Sequence, residues 1–348
     1  KIEEEKGDFK MIKVAINGFG RIGRLAFRQM ITKTDFDIVA INDLSHASDL
    51  AYLLKYDTVH GRFHTEEIKS EENYIVINNQ KKIPVFAESD PKDLPWKEMG
   101  VDLVLECTGH FTDYEGALKH IEAGAKKVLI SAPSKSENVK TIVYGVNENI
   151  LNGDEVIVSA ASCTTNCLAP VLNVLQKNFG IVKGFMSTIH AYTNDQTTLD
   201  LAHKKGYLER RGRACASNIV PTKTGAASAI GKVMPELDGL LSGLAYRVPV
   251  NDGSLIDLTV EVRTGVTEEQ INEAFKNSES EVLKTTNDPI VSSDVLGLKI
   301  GALVDLSLTK VIKGDGFDIV KVMAWYDNEA GYTSQMLRTA KALFATKG

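Results

Sequence analysis

Short apolar runs and helical stripes alternate along the first half of the chain. MIKVAIN (11–17) is a run of strand length closed by Gly18. From Arg21 to Ile31, apolar residues at 22, 25, 26, 27, 30 and 31 form a helical stripe. DIVAIN (37–42) predicts the next strand, and Leu50 to Leu54 sit on a helix. YIVIN (74–78) and KIPVFA (82–87) predict a hairpin around Asn78, Asn79 and Gln80. VDLVLE (101–106), a helix near 113–123, KVLI (127–130) and VIVSA (156–160) continue the alternation. Continuous apolar strands separated by helices indicate a doubly wound parallel sheet covered on both faces.

After residue 180 the strands lengthen: IVKGFMSTIHAYT (181–193), LSGLAYRVPV (241–250), SLIDLTVEV (254–262), ALVDLSLTK (302–310) and FDIVKVMAWY (317–326). Few helices interrupt them. One starts at Thr267, whose side chain can cap while Gln270 reaches back. Residues 330–345 are helical again. This half reads as an α+β domain with a mixed or antiparallel sheet and helices on one face. Residues 1–10 (KIEEEKGDFK) have no apolar period and read as a charged tail.

Composition narrows the function classes. Forty Lys and Arg against 46 Asp and Glu give a formal charge of −6, which argues against nucleic acid as the main partner. No apolar run approaches the length of a membrane span. No secretory signal is visible, so the four cysteines are expected reduced, in a cytoplasmic protein.

Two strings carry candidate chemistry. Asn17-Gly18-Phe19-Gly20-Arg21-Ile22-Gly23 contains GxGxxG between a strand and a helix. Gly18 allows the tight turn, Gly20 lets the backbone approach a pyrophosphate, and Gly23 lets helix and strand pack closely. The free N–H groups of that helix would face phosphate. Asp43 ends the next strand, where a carboxylate can accept from an adenosine ribose. The second string is Ser162-Cys163-Thr164-Thr165-Asn166-Cys167, at a strand-to-helix junction. Ser162 can cap that helix, placing Cys163 in the first turn, where the dipole favours thiolate. On residues alone, Cys163 also reads as a small buried hydrophobe, and His190 as a strand-end hydrogen-bonder. Cys167 reads as packing. No second Cys or His pair completes a metal site, so no metal is expected.

INGFGRIGR (16–24), IND (41–43), YDTVHGRF (56–63), ECTG (106–109), SCTTNCLAP (162–170), HAYTNDQ (190–196), PTKTGAA (221–227), RVPV (247–250) and WYDNEAGY (325–332) together resemble the phosphorylating glyceraldehyde-3-phosphate dehydrogenases. The resemblance implies a Rossmann-type NAD-binding domain over 11–161, completed by a C-terminal helix over 328–348, and a catalytic domain over 162–327. It implies a glycolytic oxidation of glyceraldehyde 3-phosphate to 1,3-bisphosphoglycerate with NAD and inorganic phosphate, in a homotetramer. Cys163 resembles the nucleophile and His190 its base. Ser162, Thr164, Thr224 and Gly225 resemble the inorganic phosphate site. Thr193 and Arg247 resemble the substrate phosphate site, with Arg211 a helper and Asp195 a structural partner. Arg21, Ile22, Asp43, Thr108, Ser131 and Asn328 resemble cofactor contacts.

Erythrose-4-phosphate dehydrogenase shares SCTTNC and is the enzymatic alternative; an additional non-catalytic binding role is another. The basic segment 203–213, with five cations and one acid, reads as a solvated or phosphate-facing loop. Four departures from the family pattern stand out: Ala160, Ser89, Ala202 and the run Val250-Asn251-Asp252-Gly253. Asp43 predicts NAD over NADP by charge, whereas Ala202 opens room for an extra phosphate.

Overall fold

Asn78 and Asn79 both adopt left-handed backbone, φ 53° and 56°, and turn the strand Tyr74–Ile77 back into Lys81–Phe86. This is the hairpin that the Asn-Asn-Gln spacing predicts, since asparagine tolerates positive φ. The computed structural model describes residues 11–263 and 265–345. The tail at 1–10 and the last three residues of the expected closing helix lie outside them.

Contacts divide the chain into two units. One holds the chain through 140, then 151–160 and 340 onward; the other holds 141–150 and 161–339. In the first unit the strands run in the order Ile157–Ser159, Lys127–Ile130, Leu103–Glu106, Ile12–Asn17, Phe36–Asn42, Lys81–Phe86, Tyr74–Ile77, Ile68–Glu71. The first six are parallel, and the hairpin strands at the end are antiparallel. Strand order reverses beside Ile12–Asn17, the position where open α/β sheets bind ligands at their carboxyl edge. The helix Arg21–Met30 follows that strand directly, and Trp96, Val104, Val128 and Ile130 form part of the buried core.

The second unit is a mixed sheet in the order Val220–Lys223, Leu241–Val248, Ile181–Ala191, Ser254–Arg263, Phe317–Tyr326, Ala302–Asp305, Leu283–Thr286. The helices Cys163–Phe179, Ala226–Val233 and Glu268–Asn277 contribute Leu168, Leu172, Ile230 and Phe275 to its core. The capping box at Thr267 and Gln270 forms as expected.

The structure corrects one strand expectation, adds a helix, and divides the closing helix between the two units. ALVDLSLTK is not one strand: Asp305 accepts from the Ser307 N–H, breaks the run into a short 3-10 turn, and Lys310–Ile312 pairs separately. The helix Ala226–Val233 was not foreseen, because its small residues carry little periodic signal. The helix Ala330–Ala342 does not belong wholly to the first unit. Its Tyr332 hydroxyl donates to the Ala161 carbonyl and its Gln335 amide to the Tyr144 carbonyl, so 330–339 packs with the second unit.

Candidate active site

The chain reaches the helix Cys163–Phe179 through Ala161, a buried non-glycine residue at φ 58°. Such backbone costs on the order of 1–3 kcal/mol and persists only where the surroundings over-determine it. Here the Tyr332 hydroxyl holds the Ala161 carbonyl at 3.2 Å. Ser162 then caps the helix: its Oγ accepts from the Thr165 N–H at 3.1 Å, as the sequence predicts. Cys163 is therefore the first helical residue, half-buried, in the positive first turn of the helix. Cys167, one turn on, is fully buried with its Sγ 3.8 Å from the Ala324 carbonyl, a packing residue.

Cys163 Sγ lies 3.3 Å from His190 Nε2. His190 Nδ1 is 2.7 Å from the Ala191 carbonyl and 3.0 Å from Arg247 Nη1. The two hydrogens of Arg247 Nη1 are accounted for by the Ala191 carbonyl at 3.0 Å and Thr193 Oγ1 at 2.9 Å. Nδ1 therefore carries its own hydrogen and donates it to the carbonyl. That tautomer leaves Nε2 bare, facing the thiol.

Burial works against either charge alone. It pulls His190 down to about 3, with the Arg247 cation adding to the effect. Burial also pushes the Cys163 thiol up, against the pull of Arg247 and of the N–H and hydroxyl of Thr164. The sequence expectation of a thiolate favoured by the helix start is thus opposed by desolvation. Moving the proton from sulfur to Nε2 creates both charges together, however. Their attraction at this separation is about 5 kcal/mol at an effective dielectric near 20, which offsets much of the cost.

Arg247 sits in an anion-ready corner. Its Nε is buried and has no hydrogen-bond partner among the described residues. Thr193 Oγ1 also donates to Asp195, and Asp195 pairs with Arg211, whose Nε reaches Thr222 Oγ1 at 3.3 Å. Burial and the Arg211 charge both lower Arg247 below its usual range. Arg211 also has Glu209 at 3.8 Å, so it is the buried, unpartnered Nε of Arg247, beside a second guanidinium, that fits a phosphate oxygen.

Other expected phosphate residues are placed differently. Thr164 is buried, and its hydroxyl contacts the Tyr326 hydroxyl at 2.9 Å rather than facing solvent. Thr224 and Gly225 stand at the start of the helix Ala226–Val233, where Gly225 occupies the cap position without a side-chain bond. Sequence reasoning missed Thr188, Thr222 and Tyr326. The Tyr326 hydroxyl bridges Thr164 and Thr188, and its ring stands edge-on to His190 at 5.9 Å. Tyr326 lies in the WYDNEAGY string and Thr222 in PTKTGAA, so a signal was present for both; Thr188 carried none.

In the first unit, Asn17, Gly20, Asn42, Asp43, Ser89 and Thr108 help line a cleft of about 310 Å³. A Cβ at Gly20 would meet nothing within 4 Å, so the backbone is open to a ligand there, whereas one at Gly23 would lie 2.1 Å from the Gly18 carbonyl. No side chain caps the helix Arg21–Met30, and a helix N-terminus favours phosphate. Asp43 Oδ2 accepts from the Phe19 N–H at 2.8 Å and Oδ1 from Ser45, so it pins the glycine turn while lining the cleft. These residues fit a dinucleotide. The Arg21 side chain is committed to Asp57, which it and the backbone N–H groups of His60 and Val59 hold at about 2 despite burial. Ser131 donates its N–H to the Glu106 carbonyl. Asn328 belongs to the second unit, with its Oδ1 accepting from Ser254.

Comparison with known proteins assigns the family. The NAD binding domain of glyceraldehyde 3-phosphate dehydrogenase matches residues 12–114, and its C-terminal domain matches 162–328. The chain is 55% identical to glyceraldehyde-3-phosphate dehydrogenase of Clostridium pasteurianum and 54% identical to that of Clostridium acetobutylicum, each over 94% of this chain and 97% of the relative. The Mycoplasma pneumoniae protein of the same name is 52% identical over 94% and 96%. A GxGxxG cleft, a capped cysteine facing a bare imidazole nitrogen, and full-length identity above one half lead to one statement: the chain belongs to the glyceraldehyde-3-phosphate dehydrogenase family.

Proposed function

We propose that this chain oxidises glyceraldehyde 3-phosphate through a thioester on Cys163, and that inorganic phosphate then releases 1,3-bisphosphoglycerate. The reaction class, NAD-dependent and glycolytic, is that of the family. The observation that carries the mechanism is the 3.3 Å approach of Cys163 Sγ to the bare Nε2 of His190.

The thiol proton passes to Nε2 as sulfur bonds to the aldehyde carbon, giving a hemithioacetal. The Cys163 N–H at the helix start donates to the developing oxyanion. Nε2 hands that proton to the oxyanion, giving the hemithioacetal hydroxyl, and, bare again, takes it back as the carbonyl re-forms and hydride leaves carbon. Bound NAD supplies the acceptor for the hydrogen that leaves carbon with its electron pair. The acyl group now on sulfur is a thioester, with a leaving group soft enough for phosphate oxygen to displace. Arg247, Thr193 and Arg211 hold the substrate's own phosphate, and Ser162, Thr164, Thr224 and Gly225 are the side assigned to inorganic phosphate. Thr164 serves through its backbone N–H if its hydroxyl stays on Tyr326.

The second unit leaves Phe185, Leu244, Phe317 and Ile319 exposed on its sheet, a face suited to another subunit of a homotetramer. Among the described residues no helix is long and apolar enough to cross a membrane. The cytoplasm is the compartment in which such an enzyme and its thiols fit.

The test is Cys163→Ser. Turnover should be abolished while NAD still binds, because oxygen is a poorer nucleophile and the cradle lies on other residues. Near-normal turnover in that variant would overturn the thioester route. With the unmodified protein, omitting phosphate should reduce NADH formation to a single burst per site, and erythrose 4-phosphate should be the poorer aldehyde.

A further inference from the structure

We propose that Asn152 and Gly153 form a self-modifying site, at which the Asn152 side chain cyclises onto the Gly153 nitrogen, loses its amide, and reopens as a mixture of aspartate and isoaspartate. The proposal is independent of the catalytic reading.

The sequence holds two Asn-Gly pairs, Asn17-Gly18 and Asn152-Gly153. Glycine after asparagine leaves no Cβ beside the attacking backbone nitrogen, so the two pairs are chemically alike in an open chain. Folding separates them. Asn17 is 1% exposed, and both ends of its amide are held: Nδ2 donates to Glu106 at 2.6 Å and Oδ1 accepts from Asn42 at 2.7 Å. Gly18 donates its N–H to the Asn42 carbonyl at 2.8 Å. Cyclisation there would break these bonds in a buried place, which is costly.

Asn152-Gly153 stands in an exposed turn ahead of the strand Ile157–Ser159. Gly153 has φ 96°, a backbone that glycine adopts freely, and a Cβ there would meet nothing within 4 Å. The turn thus selects the residue that leaves its own nitrogen most open. Asn152 Oδ1 accepts from the Asp154 N–H at 3.1 Å. That bond closes a ring containing the Gly153 nitrogen, which keeps Cγ near its target. It also polarises the side-chain carbonyl and holds the oxygen on which negative charge develops. Nδ2, the leaving nitrogen, has no acceptor among the described residues.

Charge around the turn favours the same step. The Gly153 N–H donates to Glu155 Oε2 at 3.1 Å, and Lys140 pairs with that carboxylate. Lys127 Nζ lies 2.7 Å from the Gly153 carbonyl. Two cations therefore flank the anion formed when the Gly153 nitrogen gives up its proton.

Hydroxide takes that proton, the nitrogen bonds to Cγ, and the Cγ–Nδ2 bond breaks. Nδ2 takes a proton from water and leaves as ammonia, so nothing is oxidised or reduced. Water then adds to either carbonyl of the five-membered imide. One opening restores the chain with aspartate at 152; the other leaves isoaspartate, with the chain running through the former side chain. Both products add a negative charge beside Glu155. Isoaspartate also lengthens the backbone within the turn and displaces the N–H groups of Asn152 and Gly153 that hold the Glu155 carboxylate.

The test is ageing of the unmodified protein at mildly alkaline pH, folded and in urea, with digestion and mass spectrometry of the two Asn-Gly peptides. In the folded protein the Asn152 peptide should gain the amide-to-acid mass at least about tenfold faster than the Asn17 peptide, because Asn17 must first open locally. In urea the two rates should converge. Isoaspartate should accompany aspartate, and ageing in heavy-oxygen water should label both. Asn152→Gln, whose ring would have six members, should start with unchanged turnover and lose the modification from this peptide. Equal rates at the two pairs in the folded protein overturn the proposal, as does conversion of Asn152 about tenfold slower folded than in urea. Aspartate without isoaspartate, or undiminished conversion in Asn152→Gln, would mean direct hydrolysis and overturns it too.

Discussion

His190 and Arg247 are register partners across the parallel strands Ile181–Ala191 and Leu241–Val248, and both donate to the carbonyl of Ala191. One backbone oxygen thus orients the base and anchors the arginine, so aldehyde chemistry and phosphate recognition share a support. Parallel pairing places the two side chains on the same face, a few ångströms apart, without any sequence proximity.

Arg247→Leu should raise KM for glyceraldehyde 3-phosphate by at least tenfold and lower kcat through lost positioning. Unphosphorylated glyceraldehyde should be affected much less, because it has no dianion for Arg247 Nε to meet. Steady-state kinetics on both aldehydes separate the cases. Equal losses would place Arg247 in the support of His190 only.

His190→Asn should slow acylation by roughly 10²–10⁴-fold, the usual worth of a positioned base. The pH profile of Cys163 alkylation by iodoacetamide should move upward, because burial already raises this thiol and the proton acceptor is gone. An unmoved profile would separate His190 from the thiol.

The same histidine should shape acid stability. Its folded value of about 3 lies below the ordinary 6.5, so the unfolded chain takes up a proton that the folded one refuses. Stability then falls as pH drops from about 6.5 toward about 3, by up to roughly 1.4 kcal/mol per pH unit. His190→Asn should flatten that part of the urea-midpoint curve. Asp57 and Glu155, both held at about 2, lose their contribution as pH falls from about 4.5 to about 2, so the span between about pH 6.5 and 5 reports on His190.

Asp252 should be an improvable position. It is buried, and desolvation together with the Asp327 charge raises its carboxyl to about 9. Asp327 is already committed to the N–H groups of Gly297, Glu329 and Ala330. Folding therefore takes up a proton at Asp252, and stability declines as pH rises from about 4 to about 9. Asp252→Asn should raise the urea midpoint near pH 8 by the equivalent of at least about 1 kcal/mol, with the gap closing near pH 5. Identical midpoints at both pH values would contradict this account.

Asp43 should make NAD the preferred cofactor over NADP by at least about tenfold in kcat/KM. A 2′-phosphate beside this cleft-lining carboxylate would be repelled over a distance shorter than the screening length of about 8 Å. Asp43→Ala should narrow the gap, and it should also loosen the glycine turn, since the Phe19 N–H loses its acceptor. Equal use of both cofactors by the unmodified protein would shift attention to Ala202 and the 203–213 loop.

The parallel sheet, the GxGxxG turn, the Ser162 cap and the place of Cys163 on a helix were legible along the chain, because each depends on residues within one turn or one strand of each other. Apolar periodicity, a left-handed asparagine pair and a capping hydroxyl are local effects. The pairing of Cys163 with His190, the tautomer set by Ala191, the inward turn of the Thr164 hydroxyl onto Tyr326, and the burial of Glu106 against His120 were decided only by tertiary structure. Each needs groups 14 to 162 positions apart, or a carbonyl whose direction depends on strand register, to meet in a desolvated place. Spacing along a chain does not encode which donor faces which acceptor across a sheet, and it is burial that turns those meetings into shifted protons.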